Sequence, residues 1–387
     1  MPIKNRFAEL HSEITAWRRD IHQNPELLFD THRTSALVAE KLREFGCEDV
    51  VEGLGRTGVV GVIKGKTNTA GKVIGLRADM DALPILEATG LEYASKTTGT
   101  MHACGHDGHT SMLLGAAKYL AETRNFDGTV VVIFQPAEEG GGGGREMCED
   151  GLMERFKIQE VYGMHNWPGQ AAGSFAIRAG GFFAATDEFT ATIYGKGGHA
   201  AKPHETVDPT VIASHVVLAL QTIASRNVNP VEQVVVSVTS FETASTAHNV
   251  IPPSVTLKGT VRTLSKEVKE LAEERLIAII EGTTNALGGT ADLHYKHGYP
   301  VMVNSERETE LAAEVARNVS GDCAEAPLVM GGEDFAYMLE ERPGAYILVG
   351  NGDSAPVHHP EYNFNDDIIP AGCSWFAQMA ESRMPVT

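Results

Sequence analysis

Two short, almost continuously apolar segments, separated by a helical pattern, most strongly constrain the fold of this 387-residue chain. The segments KVIGLRADMD (72–81) and TVVVIFQP (129–136) are β-rich, as strands covered on both faces should be. Between them, from about 109 to 122, apolar residues recur at helical spacing. A strand, a helix and a strand in this order predict an α/β domain with a parallel or mixed central sheet flanked by helices.

The middle of the chain shows a different pattern, which predicts a second domain. A strand pattern at 187–197 is followed by Asp208 and a proline, a typical start of a helix, which we expect to continue to about Arg226. Two strand patterns at 232–241 and 254–263, a long helix and the strand ADLHYKH complete a β-α-β-β-α-β order. This order predicts a small ferredoxin-like α+β domain.

The α/β pattern returns after about residue 298, so the smaller domain is predicted to be an insertion. We expect a discontinuous larger domain of residues 1–182 and 298–387 and an inserted domain of residues 183–297. In SVTLKGTVRT, apolar and polar residues alternate, which indicates one covered and one open face. The open face carries Arg262, which is either a solvated surface residue or a ligand-binding one.

Composition and charge exclude several classes of partner. The net charge of −19 makes nucleic acid and anionic lipid unsuitable partners, because both bind to basic patches. The chain contains no run of 18 apolar residues, so we expect no membrane span. Its first residues include no apolar signal core, and we expect a cytoplasmic protein. The five cysteines are scattered and odd in number, which argues against a disulfide framework.

The segment MHACGHDGH, residues 101–109, concentrates one cysteine and three histidines in nine positions. Cys104 and His106 offer a thiolate and an imidazole, which suit zinc and other borderline transition metals. Since the chain has no paired CxxC motifs, a closed structural zinc site is not expected. These residues alone leave two alternatives equally open, a metal site and a glycine-rich turn with solvated histidines.

Further candidate ligands follow other predicted strands. QPAEEGG places Glu138 and Glu139 after a strand, at the end where the functional loops of a parallel sheet cluster. His165 follows a short apolar segment, and the pair His358 and His359 stands before a proline. Taken singly, each is better explained as a solvated loop residue. Together the cysteine, histidine and carboxylate candidates are enough for two metal ions that share ligands.

Nine motifs in a fixed order make the chain similar to a known family over essentially its whole length. They are RRDIHQNPEL (18–27), RADMDALP (77–84), MHACGHDGH, QPAEEG, MHNWPG, GKGGHAAKPH (195–204), AHNVIPP (247–253), GGEDFA (331–336) and HHPEYNFND. The chain resembles the M20 metallopeptidase superfamily, in particular its aminoacylase, hippurate-hydrolase and auxin-conjugate-hydrolase branch. The resemblance implies that the larger domain is catalytic and that the inserted domain serves as a lid and in dimerisation.

The resemblance also implies a ligand set. In this branch the motif cysteine and the histidine two positions later bind metal, which implies Cys104 and His106. It further implies Glu139, His165 and His358 as ligands, with His358 favoured over the adjacent histidine. The implied cofactors are two divalent metal ions, with Zn, Mn, Co and Ni all open.

One position departs from the pattern of the peptidase branches. Those branches carry a histidine ligand where this chain has Asp79, and the amidohydrolase branch shares this departure. We expect Asp79 and Asp81 to support the ligands without binding metal. Supporting or structural roles are also expected for His102 and His109.

Four residues are implied in substrate binding and turnover. Glu138 would be the general base that takes a proton from metal-activated water and later gives it to the leaving nitrogen. His199, in the inserted domain, would reach the active site of a partner subunit and donate to the oxyanion. Asn249 and Arg262 would anchor the free carboxylate of the substrate.

The resemblance therefore implies a metal-dependent amidohydrolase that cleaves small N-acyl amino acids to a carboxylic acid and a free amino acid. A homodimer or a dimer-based tetramer is expected. The nearest alternative is a dipeptidase or carboxypeptidase with the same dinuclear site. A phosphate-binding protein that uses the glycines at 140–144 lacks a supporting GxxxxGK[ST] or GxGxxG motif. A metal-storage or structural-zinc role is the last alternative, and chelation would separate it from an amidase.

Overall fold

The computed structural model describes residues 5–386. They form two compact units. The first unit comprises the residues up to Gly180, the segment Val303–Pro327 and the residues from Asp334 onward. The second unit comprises Gly181–Met302 and Leu328–Glu333. The sequence pattern did not indicate the return of the chain to the second unit at Leu328–Glu333, because this short segment contains no strand or helix signal of its own.

The strands and helices follow one another in chain order. The strands are β1 (Asp49–Leu54), β2 (Gly58–Lys64), β3 (Val73–Asp79), β4 (Thr129–Gln135), β5 (Glu160–Pro168), β6 (Phe175–Ile177), β7 (Gly180–Phe183), β8 (Ala185–Tyr194), β9 (Gly198–His199), β10 (Val234–Thr243), β11 (Val250–Ile251), β12 (Ser254–Thr263), β13 (Thr290–Lys296), β14 (Met302–Asn304), β15 (Ala324–Glu325) and β16 (Gly344–Gly352). The α-helices are α1 (Asn5–Gln23), α2 (His32–Glu44), α3 (His106–Thr123), α4 (Gly143–Glu149), α5 (Leu152–Arg155), α6 (Pro209–Leu220), α7 (Lys266–Ala286), α8 (Glu306–Ser320), α9 (Ala336–Glu341) and α10 (Ile369–Arg383).

The first unit is built on an eight-stranded mixed sheet in the order β1-β2-β4-β3-β5-β16-β6-β15. The central strands β4, β3, β5 and β16 are parallel, whereas β1, β2 and β6 introduce antiparallel pairs. Every residue of β3 is buried, as its continuous apolar pattern predicted. Helices cover this sheet, and the α/β architecture with a mixed central sheet is therefore confirmed.

Helix α3 is the central helix of the first unit and packs against α1, α10 and β3. Its apolar residues lie in the main core, as their helical spacing predicted. Gly115 allows the close approach of its neighbours, since a Cβ there would lie 2.6 Å from Ile14 Cδ1 and 2.7 Å from Cys373 Sγ. The helix begins at His106, three residues before the predicted start, so His106 lies in its first turn.

The second unit contains a four-stranded antiparallel sheet in the order β10-β12-β8-β13. Helices α6 and α7 pack on one face of it around a separate apolar core. In β12 buried and less buried residues alternate, which follows the predicted division into a covered and an open face. Helix α6 begins after Asp208, whose carboxylate accepts a hydrogen bond from the Thr210 backbone N–H. It ends at Leu220, and a π turn at Ile223–Asn227 follows.

All five cysteines are free, which agrees with the sequence-based argument against a disulfide framework. Within residues 5–386, none of the helices combines the length and the apolar character needed to cross a lipid bilayer.

Candidate metal centre

The candidate ligands of the first unit converge at one edge of its sheet. Asp79 is the last residue of β3, Glu138 and Glu139 follow β4, and His165 lies in the second half of β5. The carboxyl ends of neighbouring parallel strands meet at the same edge, so these side chains come together from distant parts of the chain. His106 joins them from the first turn of α3.

Cys104, His106 and His165 form a first group of candidate ligand atoms, all within 4.8 Å of one another. Cys104 Sγ lies 3.3 Å from His165 Nε2. All three side chains are buried. One thiol and two imidazoles form a donor set that suits zinc and other borderline transition metals.

Cys104 also belongs to a second group, together with Glu139 and His358. Their ligand atoms again lie within 4.8 Å of one another, and His358 Nε2 is 3.2 Å from Glu139 Oε1. Both histidines are exposed, but among the described residues His359 belongs to no such group, and its Nδ1 accepts a hydrogen bond from the Glu361 backbone N–H. The geometry therefore favours His358 over His359.

Several ligand atoms of the two groups have no hydrogen-bond partner within the protein, which is consistent with metal binding. His165 Nδ1 lies 2.6 Å from the Asn166 carbonyl oxygen and donates to it, which directs the lone pair of Nε2 towards Cys104. His106 Nε2 is buried without a hydrogen bond. His106 Nδ1 and Glu139 Oε1 also make no hydrogen bond, although each has an ion-pair contact, to Asp81 at 3.3 Å and to His358 at 3.2 Å. Buried polar atoms rarely lack a partner in a native protein, and a bound ion is one explanation for such exceptions.

The electrostatics of the protein groups alone favour the protonated forms of Cys104 and His106. Burial raises the pKa of the Cys104 thiol well above its ordinary value, and nearby carboxylates raise it further. Burial alone would lower the pKa of His106, but Asp79 and Asp81 outweigh burial and raise this pKa to about 10. Burial lowers the pKa of His165 well below its usual range, which keeps that ring neutral. A metal would therefore have to displace protons from Cys104 and His106.

Asp81 contacts both His106 and the loop that carries Glu138 and Glu139. One of its oxygens lies 3.3 Å from His106 Nδ1, which directs the other ring nitrogen away from Asp81. Its two carboxylate oxygens also accept hydrogen bonds from the backbone N–H groups of Glu138 and Glu139, each at 3.0 Å. A single buried carboxylate therefore holds both the histidine and the glutamate loop.

His109 forms a further group of close ligand atoms with Asp79 and His106, but both of its ring nitrogens already have protein partners. Its Nδ1 is 2.6 Å from Asp79 Oδ1, and its Nε2 accepts a hydrogen bond of 2.9 Å from the Asn166 backbone N–H. Asp79 is likewise engaged, since its other oxygen lies 2.7 Å from Arg77 Nη1. Both residues therefore have the geometry of supporting groups.

Glu138 is buried beside the candidate ligands, and its ligand atom lies within 4.8 Å of those of His106 and Glu139. The residue before it, Ala137, adopts the left-handed conformation with φ of 53°. Non-glycine residues rarely adopt this conformation, and it occurs where a turn must direct a side chain. After this turn, the carboxylates of the adjacent residues Glu138 and Glu139 both lie close to His106.

The glycine run forms the turn between β4 and α4 and is not arranged to bind phosphate. A Cβ at Gly143 would lie 1.8 Å from the Pro136 carbonyl oxygen, so the turn closes on the strand end. The backbone N–H of Gly144 donates a 2.8 Å hydrogen bond to Asp334. A buried carboxylate already occupies the position that an anion would need.

A buried polar network around Asp107, in the first turn of α3, was not identified from the sequence. Arg18 and His22, one turn apart on α1, both contact Asp107, at 3.3 Å and 2.8 Å. Asp107 follows His106 directly. Burial would lower the pKa of His22, but the hydrogen bond to Asp107 and its charge raise it to about 9. The i, i+4 spacing of Arg18 and His22 was the available signal. The buried ring nitrogens of His102, close by, make no hydrogen bond.

The remaining candidates lie in the second unit. His199 in β9 pairs with Val250 in β11, and the Ala200 backbone N–H donates to the Asn249 carbonyl oxygen, so His199 and Asn249 are neighbours. Both are exposed. Arg262 lies near the end of β12, half-buried, with its Nε donating to Thr260.

The comparisons with known proteins agree with this geometry. The model of peptidase family M20/M25/M40 matches residues 75–382. The chain is 43% identical to a hippurate hydrolase of Campylobacter jejuni, over 96% of this chain and 97% of that protein. It is 40% identical to an N-acetyl-L-cysteine deacetylase of Bacillus subtilis, over 98% of this chain and 89% of that protein.

The fold is also similar to that of a solved structure from the same family. The crystal structure of a dinuclear metal binding peptidase of the M20 family from Bacillus subtilis superposes with a TM-score of 0.87 at 33% identity. The match covers 98% of this chain and all of the other. The chain therefore belongs to peptidase family M20/M25/M40.

Proposed function

We propose that the protein is a metal-dependent amidohydrolase that cleaves N-acyl amino acids to a carboxylic acid and a free amino acid. The observation that carries this proposal is the pair of ligand groups that share Cys104 and adjoin a second, buried glutamate, Glu138. The identity to a hippurate hydrolase and to an N-acetyl-L-cysteine deacetylase supports the substrate class, since both names denote removal of an acyl group from an amino acid.

The proposed centre holds two divalent ions, which is consistent with the dinuclear relative. Cys104, His106, Glu139, His165 and His358 would hold them. Zn, Mn, Co and Ni all remain compatible with a thiolate, imidazoles and a carboxylate. When bound, the ions would supply a Lewis acid for the amide carbonyl and lower the pKa of water.

Glu138 is proposed as the general base and later the general acid. A carboxylate beside the scissile amide can accept a proton from the attacking water and then donate it to the leaving nitrogen. The fixed turn at Ala137 and the hydrogen bond from the Glu138 backbone N–H to Asp81 hold its backbone in place. Because its backbone is already fixed, Glu138 loses less conformational entropy when it takes up its position for the reaction.

We further propose that residues 183–297, which lie within the second unit, are a ferredoxin-like lid and dimerisation domain, and that residues 1–182 and 298–387 form the larger catalytic domain. His199 would donate to the oxyanion in the partner subunit's site, and Asn249 and Arg262 would bind the substrate carboxylate. Arg262 pairs with Thr186 and Ser254 pairs with Tyr194, at opposite ends of the same strand pair. Eight residues of extended strand span about 27 Å. His199 follows beyond the Tyr194 end, and this separation favours a site assembled from two copies of the chain.

A substrate panel on the metal-free protein, reloaded with each metal in turn, tests the function. We expect hydrolysis of N-acetyl and N-benzoyl amino acids, restored by at least one of Zn, Mn, Co and Ni. A preference for dipeptides would instead favour the dipeptidase or carboxypeptidase alternative. Retention of the fold without any amidase activity in every loaded form would contradict the proposal. The cytoplasmic location stays a prediction.

A further inference from the structure

Asn166 lies at the junction of three segments that carry candidate ligands. It follows His165 in β5 and is fully buried. Its side-chain Nδ2 donates a 2.6 Å hydrogen bond to the Cys104 carbonyl oxygen. Its Oδ1 accepts a 2.7 Å hydrogen bond from the Tyr362 hydroxyl. One amide side chain thus connects the cysteine segment to the segment at the carboxyl-terminal end of the chain.

Tyr362 belongs to the segment that carries His358. It is fully buried, and its own backbone N–H donates to the His359 carbonyl oxygen. The His358 backbone N–H donates a 2.7 Å hydrogen bond to the carbonyl oxygen of Ala103, the residue before Cys104. The His358 and Cys104 segments are therefore fastened to each other directly and also through Asn166.

Gly105 shows how closely the backbone approaches this junction. It adopts a left-handed conformation with φ of 90°. A Cβ at this position would lie 2.3 Å from Asn166 Nδ2 and 2.5 Å from the Tyr362 hydroxyl oxygen. A glycine between the two candidate ligands Cys104 and His106 is thus required for the Asn166 side chain to reach the Cys104 carbonyl.

The backbone of Asn166 is fixed from the other side. Its N–H donates to His109 Nε2, so the proton of that ring is on Nδ1 and is donated to Asp79. Arg77 in turn contacts the second oxygen of Asp79. The strand end that carries His165 is therefore anchored by a buried chain of polar contacts.

We propose that Asn166 and Tyr362 are positioning residues that set the mutual placement of Cys104, His165 and His358 without binding metal themselves. This inference rests on the ligand assignment of the proposed function. The three ligands come from segments far apart in sequence. If their hydrogen-bonded frame is loosened, part of the metal-binding free energy has to order them, and affinity falls.

The test removes one hydroxyl group. Tyr362→Phe keeps the ring and deletes only the hydrogen bond to Asn166. Tyr162→Phe is the matched control, because Tyr162 is also fully buried in the first unit but bonds to Glu160 at the opposite end of β5. The measurements are the affinities for Zn²⁺ and Co²⁺ by chelator competition, the absorption spectrum of the Co²⁺ form, and thermal unfolding of the metal-free proteins.

We expect Tyr362→Phe to weaken metal affinity by about 10- to 100-fold, the usual effect of removing a supporting partner. The Co²⁺ absorption spectrum should change, whereas Tyr162→Phe should leave affinity and spectrum like those of the wild type. Asn166→Asp, which cannot donate to the Cys104 carbonyl, should weaken binding at least as much as Tyr362→Phe.

Two results would overturn the inference. One is a Tyr362→Phe affinity within about twofold of wild type, since supporting partners cost more than this. The other is an equal loss in Tyr162→Phe, which would assign the effect to general stability. A wild-type protein that binds no metal pair would refute the proposed function itself, and the two failures are therefore distinguishable.

Discussion

In the first unit the candidate ligands are mostly buried and held by neighbours on several sides, whereas in the second unit His199 and Asn249 are exposed. The Asp81 carboxylate, for example, contacts His106 and also accepts hydrogen bonds from the backbone N–H groups of Glu138 and Glu139. His199 lies in the short strand β9, which pairs with β11, and Asn249 directly precedes β11. The only side-chain hydrogen bond of His199 among the described residues is accepted from the Ala201 backbone N–H. The candidate ligands of the first unit are held in place by contacts within the chain. The side chains of His199 and Asn249 in the second unit are exposed and therefore available for contacts with other molecules.

Because the two regions differ in burial, substitutions in them should have different effects. Changes in the buried region should alter chemistry or metal binding in any oligomeric state. Changes at the exposed residues should depend on which chains are brought together and on which substrate is offered.

The largest effect is expected for Glu138→Gln, which tests the buried region. Loss of a general acid and base lowers kcat by about 10²- to 10⁴-fold. Metal content should stay at the wild-type value, because the proposed ligands are intact. The measurement is kcat together with elemental analysis of the purified variant. A fall of less than about tenfold with both metals bound would refute the assignment of the base.

His199→Ala tests the exposed region, with an expected loss of about 10²- to 10³-fold in kcat, the cost of one oxyanion donor. If His199 acts in the partner subunit, mixing His199→Ala with Glu138→Gln should restore activity, because one site of each mixed dimer then contains both groups. Remixing each variant with itself is the control. Mixed dimers that form, as shown by mass spectrometry, but stay inactive would place His199 in its own subunit.

Arg262→Ala should have a smaller effect that depends on the substrate. Hydrogen bonds to charged groups contribute about 1.5–3 kcal/mol, so kcat/KM should fall by about 10- to 100-fold on N-acyl amino acids. Amides of similar size without a free carboxylate should lose little. The measurement is kcat/KM on a matched pair of substrates. An equal loss on both would contradict the role of Arg262 as a carboxylate anchor.

The sequence and the structure agree best where a local pattern determines the outcome. The apolar runs of β3 and β4, the helical spacing in α3 and the alternation in β12 all predicted their elements within a few residues. Such patterns depend on near neighbours in the chain, which the sequence displays directly. The ligand candidates, in contrast, became convincing through the family motifs.

What could not be predicted are contacts between distant segments. Asn166 meets Cys104 and Tyr362, and Asp334 meets Gly144, only because the sheet order brings their strands and loops together. No periodicity in the chain encodes these pairs. The early start of α3 is of the same kind, since Gly105 is held by the close approach of Asn166 and not by a capping side chain.

The smallest effect is expected for a substitution at Glu160, which should change the stability of the fold but not catalysis. This substitution compares the two ends of β5. Glu160 begins β5, at the opposite end from His165, and bonds to Arg383 and Lys72. Burial would raise the pKa of Glu160, but these hydrogen bonds outweigh it and lower the pKa to about 2. A carboxylate with a lowered pKa stabilises the fold fully above its unfolded value, and this contribution disappears as the pH falls through about 2.

Glu160→Gln should therefore lower the free energy of unfolding by about 1–2 kcal/mol at pH 7, after allowance for solvent screening. The difference from wild type should shrink steadily below about pH 4.5, where the unfolded carboxyl takes up its proton. Urea unfolding at a series of pH values measures this. Metal affinity and kcat at pH 7 should match the wild type, because no ligand or supporting residue of the centre is touched. A variant that lost metal as readily as Tyr362→Phe would show that the whole strand, and not the junction at Asn166, holds the ligands in place.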